Sequence, residues 1–296
     1  MTDDDVLDAF RRIRCWEREG ERAPHKPLLL LMALASLQRG ESPGLSFEDI
    51  EEPLKNLLRE FGPARKSYQP EYPFWWLKSD GLWVIDDVER LQGIERKRKN
   101  LPATVLRAEH ARGALAPEIV ARLKARPSLV NEVATILLEQ TFPASLHDDI
   151  LDAVGFPWIV EADRPLRRDP AFRDAILRIY ERRCAVCGYD GRLGSSELGL
   201  EAAHVKWHAA GGPDTLDNGL ALCVFHHKAV DRGAIGLDDE RRIIVSQDVN
   251  GQSHVDDLIL RFVGQPLRPP QAGQPGPAVP FIQWHRSEVF RPPARA

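Results

Sequence analysis

The sequence has few cysteines and no hydrophobic run that could cross a bilayer. Four cysteines among 296 residues are too few for the disulfide framework of a small secreted domain. The longest apolar stretch, residues 28–37, is half as long as the roughly 20 residues that a membrane-spanning helix needs. The N-terminus is acidic and lacks the basic and apolar pattern of a signal peptide. We therefore expect a cytoplasmic protein with reduced thiols and no membrane partner.

A large excess of either charge is also absent, since 44 acidic and 40 basic residues give a net charge of −4. The basic residues are nevertheless clustered. Residues 90–126 carry ten Lys and Arg against three Glu, and residues 164–183 carry seven Arg against three acidic residues. Arginine suits phosphate, so these clusters predict surfaces that face a phosphate-rich partner. A solvated helix face is the alternative interpretation of each cluster.

The length suits about two domains, and the pattern predicts an α+β fold that is mostly helical. Residues 1–163 show helical periodicity, with Thr2 or Asp3 as a first helix cap and Ser46 with Asp49 as a later one. The aromatic segment 68–85 contains a turn signal at residues 79–81, which predicts a short β-hairpin of residues 74–78 and 82–85. We expect residues 1–163 to form the first domain, residues 164–263 to form the second, and residues 264–296 to be a Pro-rich C-terminal tail.

Two cysteine-containing pairs in the second domain have the spacing of metal ligands. Cys184 and Cys187 form the first pair, and Cys223 and His226 form the second, 36 residues further on. A lone pair of this kind is also compatible with a redox function. Two pairs in one segment favour a closed structural Zn²⁺ site with three thiolates and one imidazole.

The segment around the second pair contains His204, Asn218 and His227, at intervals of 14 and 9 residues, with Gly211 and Gly212 between the first two. This order, enclosed by the metal-spaced pairs, resembles the HNH nuclease motif over roughly residues 167–262. The resemblance implies a ββα-metal finger, and it predicts a zinc-containing DNA endonuclease domain.

The resemblance also implies a role for each residue. His204 is expected to be the general base, Asn218 to orient the loop of His204, and His227 to bind a catalytic Mg²⁺ or Mn²⁺ ion. Asp231 lies one helical turn after His227 and can share that ion. Many HNH nucleases carry a further metal ligand just before the base, where this sequence has alanine. Glu201, water or DNA phosphate would then complete the metal shell.

Two features of the first domain resemble a DNA sulfur-binding domain, the recognition module of some McrA-like restriction enzymes, over roughly residues 4–160. One is the pair His25 and Lys26 before a run of leucines, and the other is the aromatic segment with Tyr72, Pro73 and Trp76. The resemblance places a sulfur pocket around these residues. Nearby basic residues would contact the DNA groove or backbone: Arg65, Lys66, Arg98 and Lys99.

The chemistry of a phosphorothioate fits this expectation. Sulfur is larger and more polarizable than oxygen and accepts hydrogen bonds more weakly, so a selective site should be an apolar depression beside a cation. Ring surfaces of Tyr72 and Pro73 with the charge of Lys26 could supply both. Packing of the aromatic segment within a hairpin is the alternative interpretation.

Together these features predict a type IV restriction endonuclease that recognises phosphorothioate-modified double-stranded DNA and cuts near the mark. Cutting both strands requires two active sites, so we expect a homodimer. Two alternatives remain open: dependence on a modified base such as methylcytosine, and a non-catalytic DNA-binding protein whose finger is only structural.

Overall fold

The computed structural model describes residues 1–13, 23–41, 44–98, 101–157 and 170–295. It divides into two compact units, residues 1–141 with 147–164, and residues 142–146 with 165–296. The first unit contains helices α1 (Asp3–Arg11), α2 (His25–Gln38), α3 (Phe47–Phe61), α4 (Glu71–Trp76), α5 (Val88–Arg98), α6 (Ala103–Ala108), α7 (Pro117–Ala125), α8 (Ser128–Glu139) and α9 (His147–Ala153), and strands β1 (Gly44–Ser46), β2 (Trp83–Ile85) and β3 (Arg112–Leu115).

The leucine-rich helix α2 is the buried centre of the first unit. Its residues 28–31 and 34 are fully inaccessible to solvent, and it packs against α3, α4 and α8. A helix that is apolar on all sides requires such surroundings. The predicted cap of α1 is confirmed, because Thr2 Oγ1 accepts a hydrogen bond from the Asp5 amide and Asp5 Oδ2 accepts one from the Thr2 amide. Ser46 is the N-cap residue of α3, as predicted, but its side chain makes no capping hydrogen bond, so the predicted box with Asp49 is wrong.

The predicted hairpin of residues 74–78 and 82–85 is wrong in its first strand. Residues 71–76 form α4, and a 3₁₀ turn, Leu77–Asp80, follows. Proline at the start of α4 favours helical backbone angles, and Pro73, Phe74 and Trp75 are the buried residues of this helix. Strand β2 pairs instead with β3, in an antiparallel sheet of order β1–β3–β2.

Several residues of the basic cluster 90–126 are engaged in ion pairs within the first unit. The Arg107 guanidinium lies 2.6 Å from the Glu51 carboxylate, which is almost fully buried. Arg122 and Arg126 both bind Asp3 at the start of α1. Part of the positive charge that the sequence gathers here therefore stabilises the fold. Tertiary partners of this kind lie far away in the sequence and leave no local signal.

The second unit contains α10 (Pro170–Ile179), β4 (Arg192–Leu193), β5 (Ser196–Glu197), β6 (Leu200–His204), β7 (Gly219–Cys223), α11 (Val224–Asp231), β8 (Ile235–Leu237), β9 (Ile243–Val245), α12 (Val255–Leu258) and α13 (Val279–Glu288). Strands β6 and β7 pair in antiparallel register, with His204 opposite Gly219, and α11 follows directly. This is the expected ββα arrangement. The α+β, mostly helical fold class is thereby confirmed.

The C-terminal segment belongs to the core of the second unit. Helix α13 packs against β8, and its Ile282 is buried. His285 Nε2 lies 3.1 Å from the Val230 carbonyl in α11, so α13 also supports the helix of the finger. Within the described ranges, every helix is too short or too polar to cross a membrane.

Candidate metal centre and active site

The four metal-spaced residues of the second unit lie together around one point. The ligand atoms of Cys184, Cys187, Cys223 and His226 are all within 4.8 Å of one another. Cys184 and His226 are fully buried. Hydrogen bonds among the three thiols lower the pKa of Cys184 and raise that of Cys223. Three sulfurs and one imidazole nitrogen fit a closed tetrahedral zinc site.

The His226 imidazole is oriented by a hydrogen bond to a residue outside the cluster. His226 Nδ1 lies 3.2 Å from Cys223 Sγ and 3.7 Å from Cys184 Sγ. His226 Nε2 is 2.8 Å from the Leu258 carbonyl oxygen at the end of α12. A proton on Nε2 then satisfies that carbonyl and leaves Nδ1 free to bind a metal.

Asn218 closes the loop that follows β6. Its side chain is fully buried; Oδ1 accepts a bond from the Lys206 amide (2.8 Å), and Nδ2 donates to the carbonyls of Lys206 (3.0 Å) and Pro213 (2.9 Å). The loop can approach this closely because Gly212 has no side chain. A Cβ atom there would lie 1.9 Å from the Lys206 carbonyl oxygen. Gly212 is thus explained by backbone contact, and Gly211 by its positive φ of 73°.

His204 ends β6 with its side chain about one-fifth exposed. Its ring stacks on Phe172 of α10, with centroids 4.2 Å apart and an interplanar angle of 9°. Its Nε2 lies 2.6 Å from Asp214 Oδ1. Burial lowers the pKa of His204 below its ordinary value, against the opposing effect of Asp214. A neutral imidazole at neutral pH is the form that a general base requires.

His227 lies between two carboxylates. Its Nδ1 is 2.6 Å from Glu201 Oε2, and its Nε2 is 3.2 Å from Asp231 Oδ2. Burial alone would lower the pKa of His227, but the two carboxylates outweigh it and raise the pKa to about 9. The 3.2 Å between His227 Nε2 and Asp231 Oδ2 fits a nitrogen and an oxygen ligand of one divalent cation, which would take the place of the proton between them.

Two further contacts at this centre involve a distant stretch of chain. The hydroxyl of Ser145 donates a hydrogen bond to Asp231 Oδ2, and Lys228 Nζ donates one to the Ser145 carbonyl over 2.8 Å. Asp231 is almost fully buried. Sequence reasoning missed Ser145, Asp214 and Phe172 as neighbours of the site. The one available signal for Asp214 was its position two residues after Gly212 in the motif, whereas Ser145 had none.

The aromatic segment of the first unit presents two rings to solvent. Tyr72 is 43% exposed and Trp76 is 51% exposed, and they lie one turn apart on α4. Pro73, which lies between them in the sequence, is buried. Lys78 Nζ lies 3.3 Å from the centre of the Trp75 ring and 5.1 Å from that of Trp76, so a cation accompanies the exposed aromatic surface.

The other residues expected at a sulfur pocket differ in their surroundings. Burial and the charge of Arg65 lower the pKa of His25 to about 4, so His25 is neutral at neutral pH. Lys26 Nζ forms a 2.5 Å ion pair with the buried Asp80 carboxylate. Arg65 and Lys66 are exposed. Of the remaining two residues, Arg98 ends α5, and Lys99 lies outside the described residues.

A ββα finger that carries His204, Asn218 and His227 beside a Cys₃His cluster defines a nuclease of the HNH class. The sequence matches the HNH endonuclease family over residues 184–238. It also matches the ScoMcrA-like DNA sulfur-binding domain over residues 3–157, more than half of the chain. The chain therefore belongs to the ScoMcrA-like family, and it is a metal-dependent DNA endonuclease with an N-terminal sulfur-binding domain.

Solved structures give further similarities. The sulfur-binding domain of SprMcrA complexed with phosphorothioated DNA is 26% identical, with 52% of this chain and 94% of that chain covered and a TM-score of 0.42. The sulfur-binding and SRA domains of ScoMcrA, complexed with phosphorothioated DNA, are 21% identical, with 67% of this chain and 68% of that chain covered and a TM-score of 0.45. The modification-dependent TagI restriction endonuclease is 22% identical, with 46% of this chain and 41% of that chain covered and a TM-score of 0.30. No curated protein matches the chain.

Proposed function

We propose that this protein is a type IV restriction endonuclease that binds phosphorothioate-modified double-stranded DNA and hydrolyses phosphodiester bonds near the mark. The observation that carries the proposal is the presence of a sulfur-binding domain and an HNH endonuclease domain in one chain. The SprMcrA domain named above is complexed with phosphorothioated DNA, which supports the same ligand here. Because cleavage of both strands needs two active sites, the acting species would be a homodimer.

The sulfur atom would be recognised on the exposed aromatic surface of α4. Tyr72 and Trp76 offer ring faces that accept a polarizable atom at little desolvation cost, and Lys78 supplies positive charge beside them. His25 and Lys26 begin α2, which packs against α4, and the N-terminus of a helix favours an anionic group. Arg65, Lys66, Arg98 and Lys99 would contact the DNA backbone.

In the nuclease site, His204 would take a proton from the attacking water. The water oxygen forms a bond to phosphorus, the bond from phosphorus to the 3′ oxygen breaks, and the departing 3′ oxygen takes a proton from solvent. The products are a 5′-phosphate and a 3′-hydroxyl. Asn218 would hold the loop that follows His204. His227 and Asp231 would bind Mg²⁺ or Mn²⁺, which when bound stabilises the negative charge that develops on the phosphate. Zn²⁺ held by Cys184, Cys187, Cys223 and His226 would have a structural role.

The test compares two duplexes that differ by a single phosphorothioate. Each is incubated with the full chain and Mg²⁺ or Mn²⁺, with chelator and H204A as controls. We expect cutting of the modified duplex alone, and H204A should bind it without cutting. Equal cutting of both duplexes would refute the sulfur dependence, and preferential cutting of a methylcytosine duplex would indicate a modified base instead.

A further inference from the structure

The loop between β6 and β7 contains Asp214, a carboxylate to which the HNH motif gives no role. Asp214 Oδ1 lies 2.6 Å from His204 Nε2, and Asp214 Oδ2 lies 3.9 Å from His208 Nε2. A carboxylate can only accept a hydrogen bond in its charged form, so the short contact requires a proton on His204 Nε2. In the neutral ring, that proton leaves the lone pair on Nδ1.

We propose that Asp214 is a positioning residue for the general base: it holds His204 in the tautomer whose Nδ1 takes the proton from water. This inference rests on the proposed function, in which His204 is the base. After proton transfer the ring is an imidazolium, with one proton on each nitrogen, and the adjacent carboxylate stabilises that charge.

Two contacts fix this geometry. The Phe172 ring lies parallel to the His204 ring at 4.2 Å, which restricts tilting of the imidazole. The Pro213 carbonyl, immediately before Asp214, accepts a bond from buried Asn218 Nδ2 over 2.9 Å. Asn218 therefore acts on His204 from two directions: through Lys206 it holds the end of β6, and through Pro213 it holds the carboxylate that orients the ring.

The experiment uses the zinc-loaded full chain labelled with ¹⁵N-histidine. Long-range ¹H–¹⁵N spectra distinguish the two neutral tautomers and the imidazolium, and the signals of His204 are assigned by their loss in H204Q. Wild type is expected to show a proton on Nε2 at a pH where the ring is neutral. In D214N the Nε2–H preference should be lost, because the amide can either donate or accept. D217N changes a carboxylate of the same loop and should leave the spectrum unchanged.

Single-turnover cleavage of a phosphorothioate duplex gives the second readout. Misorientation of the base should lower the cleavage rate of D214N about 10- to 100-fold, a part of the full contribution of general-base catalysis, with duplex affinity unchanged. D214E retains a carboxylate and should lie between D214N and wild type, whereas D217N should stay within about twofold of wild type. Melting curves identify any variant that fails to fold, and D214E then supplies both readouts.

Three results would overturn the inference: an Nδ1–H tautomer in wild type, an unchanged tautomer in D214N, or a D214N rate equal to or above that of wild type. A higher rate would mean that Asp214 occupies the nitrogen that takes the proton. The spectra need neither DNA nor a catalytic ion. If wild type cuts no duplex, the proposed function fails, while the tautomer comparison still decides what Asp214 does to His204.

Discussion

Replacement of Asn218 by alanine tests how firmly the loop after β6 is held. The side chain makes three hydrogen bonds in a fully buried position, one accepted from the Lys206 amide and two donated to the carbonyls of Lys206 and Pro213. At about 1 kcal/mol net for each bond, N218A should destabilise this region by about 3 kcal/mol.

Hydrogen exchange measures this loss where it occurs. The Lys206 amide is protected by Asn218 Oδ1, so N218A should accelerate its exchange about 100-fold, the equivalent of about 3 kcal/mol in opening free energy. Peptides that cover residues 205–214, followed by mass spectrometry in the full chain, report it directly. N250A is the matched control, since the exposed Asn250 side chain donates a hydrogen bond to the Asp248 carbonyl two residues before it, and its loss should change stability by less than about 0.5 kcal/mol.

N218D distinguishes the hydrogen-bond pattern from simple occupancy of space. The aspartate keeps an acceptor for the Lys206 amide, but it places an oxygen where Nδ2 donates to two carbonyls. At neutral pH it should therefore exchange at least as fast as N218A. Exchange in N218A or N218D within about threefold of wild type would refute the reasoning, because the three bonds would then contribute less than about 1 kcal/mol together.

Three other predictions concern the metal, the pH dependence and the exposed aromatic surface. C187S should reduce the zinc content of the purified chain, measured by mass spectrometry of the metal, from one ion to a small fraction, and the second unit should unfold at a lower temperature. Retention of a full equivalent of zinc would contradict the Cys₃His assignment. Burial lowers the pKa of His204 below 6.5; His208 acts in the same direction, whereas Asp214 and Asp231 oppose the shift. Because the base works when neutral, the cleavage rate measured at saturating Mg²⁺, where the His227 site is occupied at every pH, should fall as pH drops below 6.5. A fall centred above 6.5 under these conditions would be inconsistent with the surroundings of His204. Y72A and W76A should each weaken binding to the phosphorothioate duplex about tenfold in fluorescence anisotropy, since each lost ring contact is worth about 1–3 kcal/mol. V84A, at a similarly exposed position, should leave the affinity unchanged. Affinities of Y72A and W76A equal to that of wild type would exclude α4 as the sulfur site.

The ββα finger could be predicted because its determinants are local in sequence. Residue spacing places Cys184, Cys187, Cys223 and His226 around one point, and the interval from His227 to Asp231 puts both on one face of α11. Asp214 could not be assigned to His204 in this way, since the bond depends on how Gly211 and Gly212 turn the loop.

The first unit was harder to predict because its short elements depend on distant partners. The segment before Gly81 contains Pro70 and Pro73 among aromatic residues. Aromatic residues are common in strands, whereas proline at the start of an element favours a helix, so the two signals compete. Packing of Phe74 against Phe47 and Trp83 selects the helix. The pairing of β2 with β3 then leaves no role for a hairpin partner at residues 74–78.

The five-residue segment 142–146 makes the nuclease unit discontinuous in the gene. Its Ser145 donates a hydrogen bond to the Asp231 carboxylate, yet it is encoded between α8 and α9, well before residue 165, where the rest of the second unit begins. A recombination event that joined a different recognition domain at residue 164 would delete this support from the nuclease. Exchange of recognition domains during evolution would therefore favour recombination sites that keep residues 142–146 with the nuclease. DNA recognition and DNA cleavage would then be inherited together more often than in a gene with two contiguous modules.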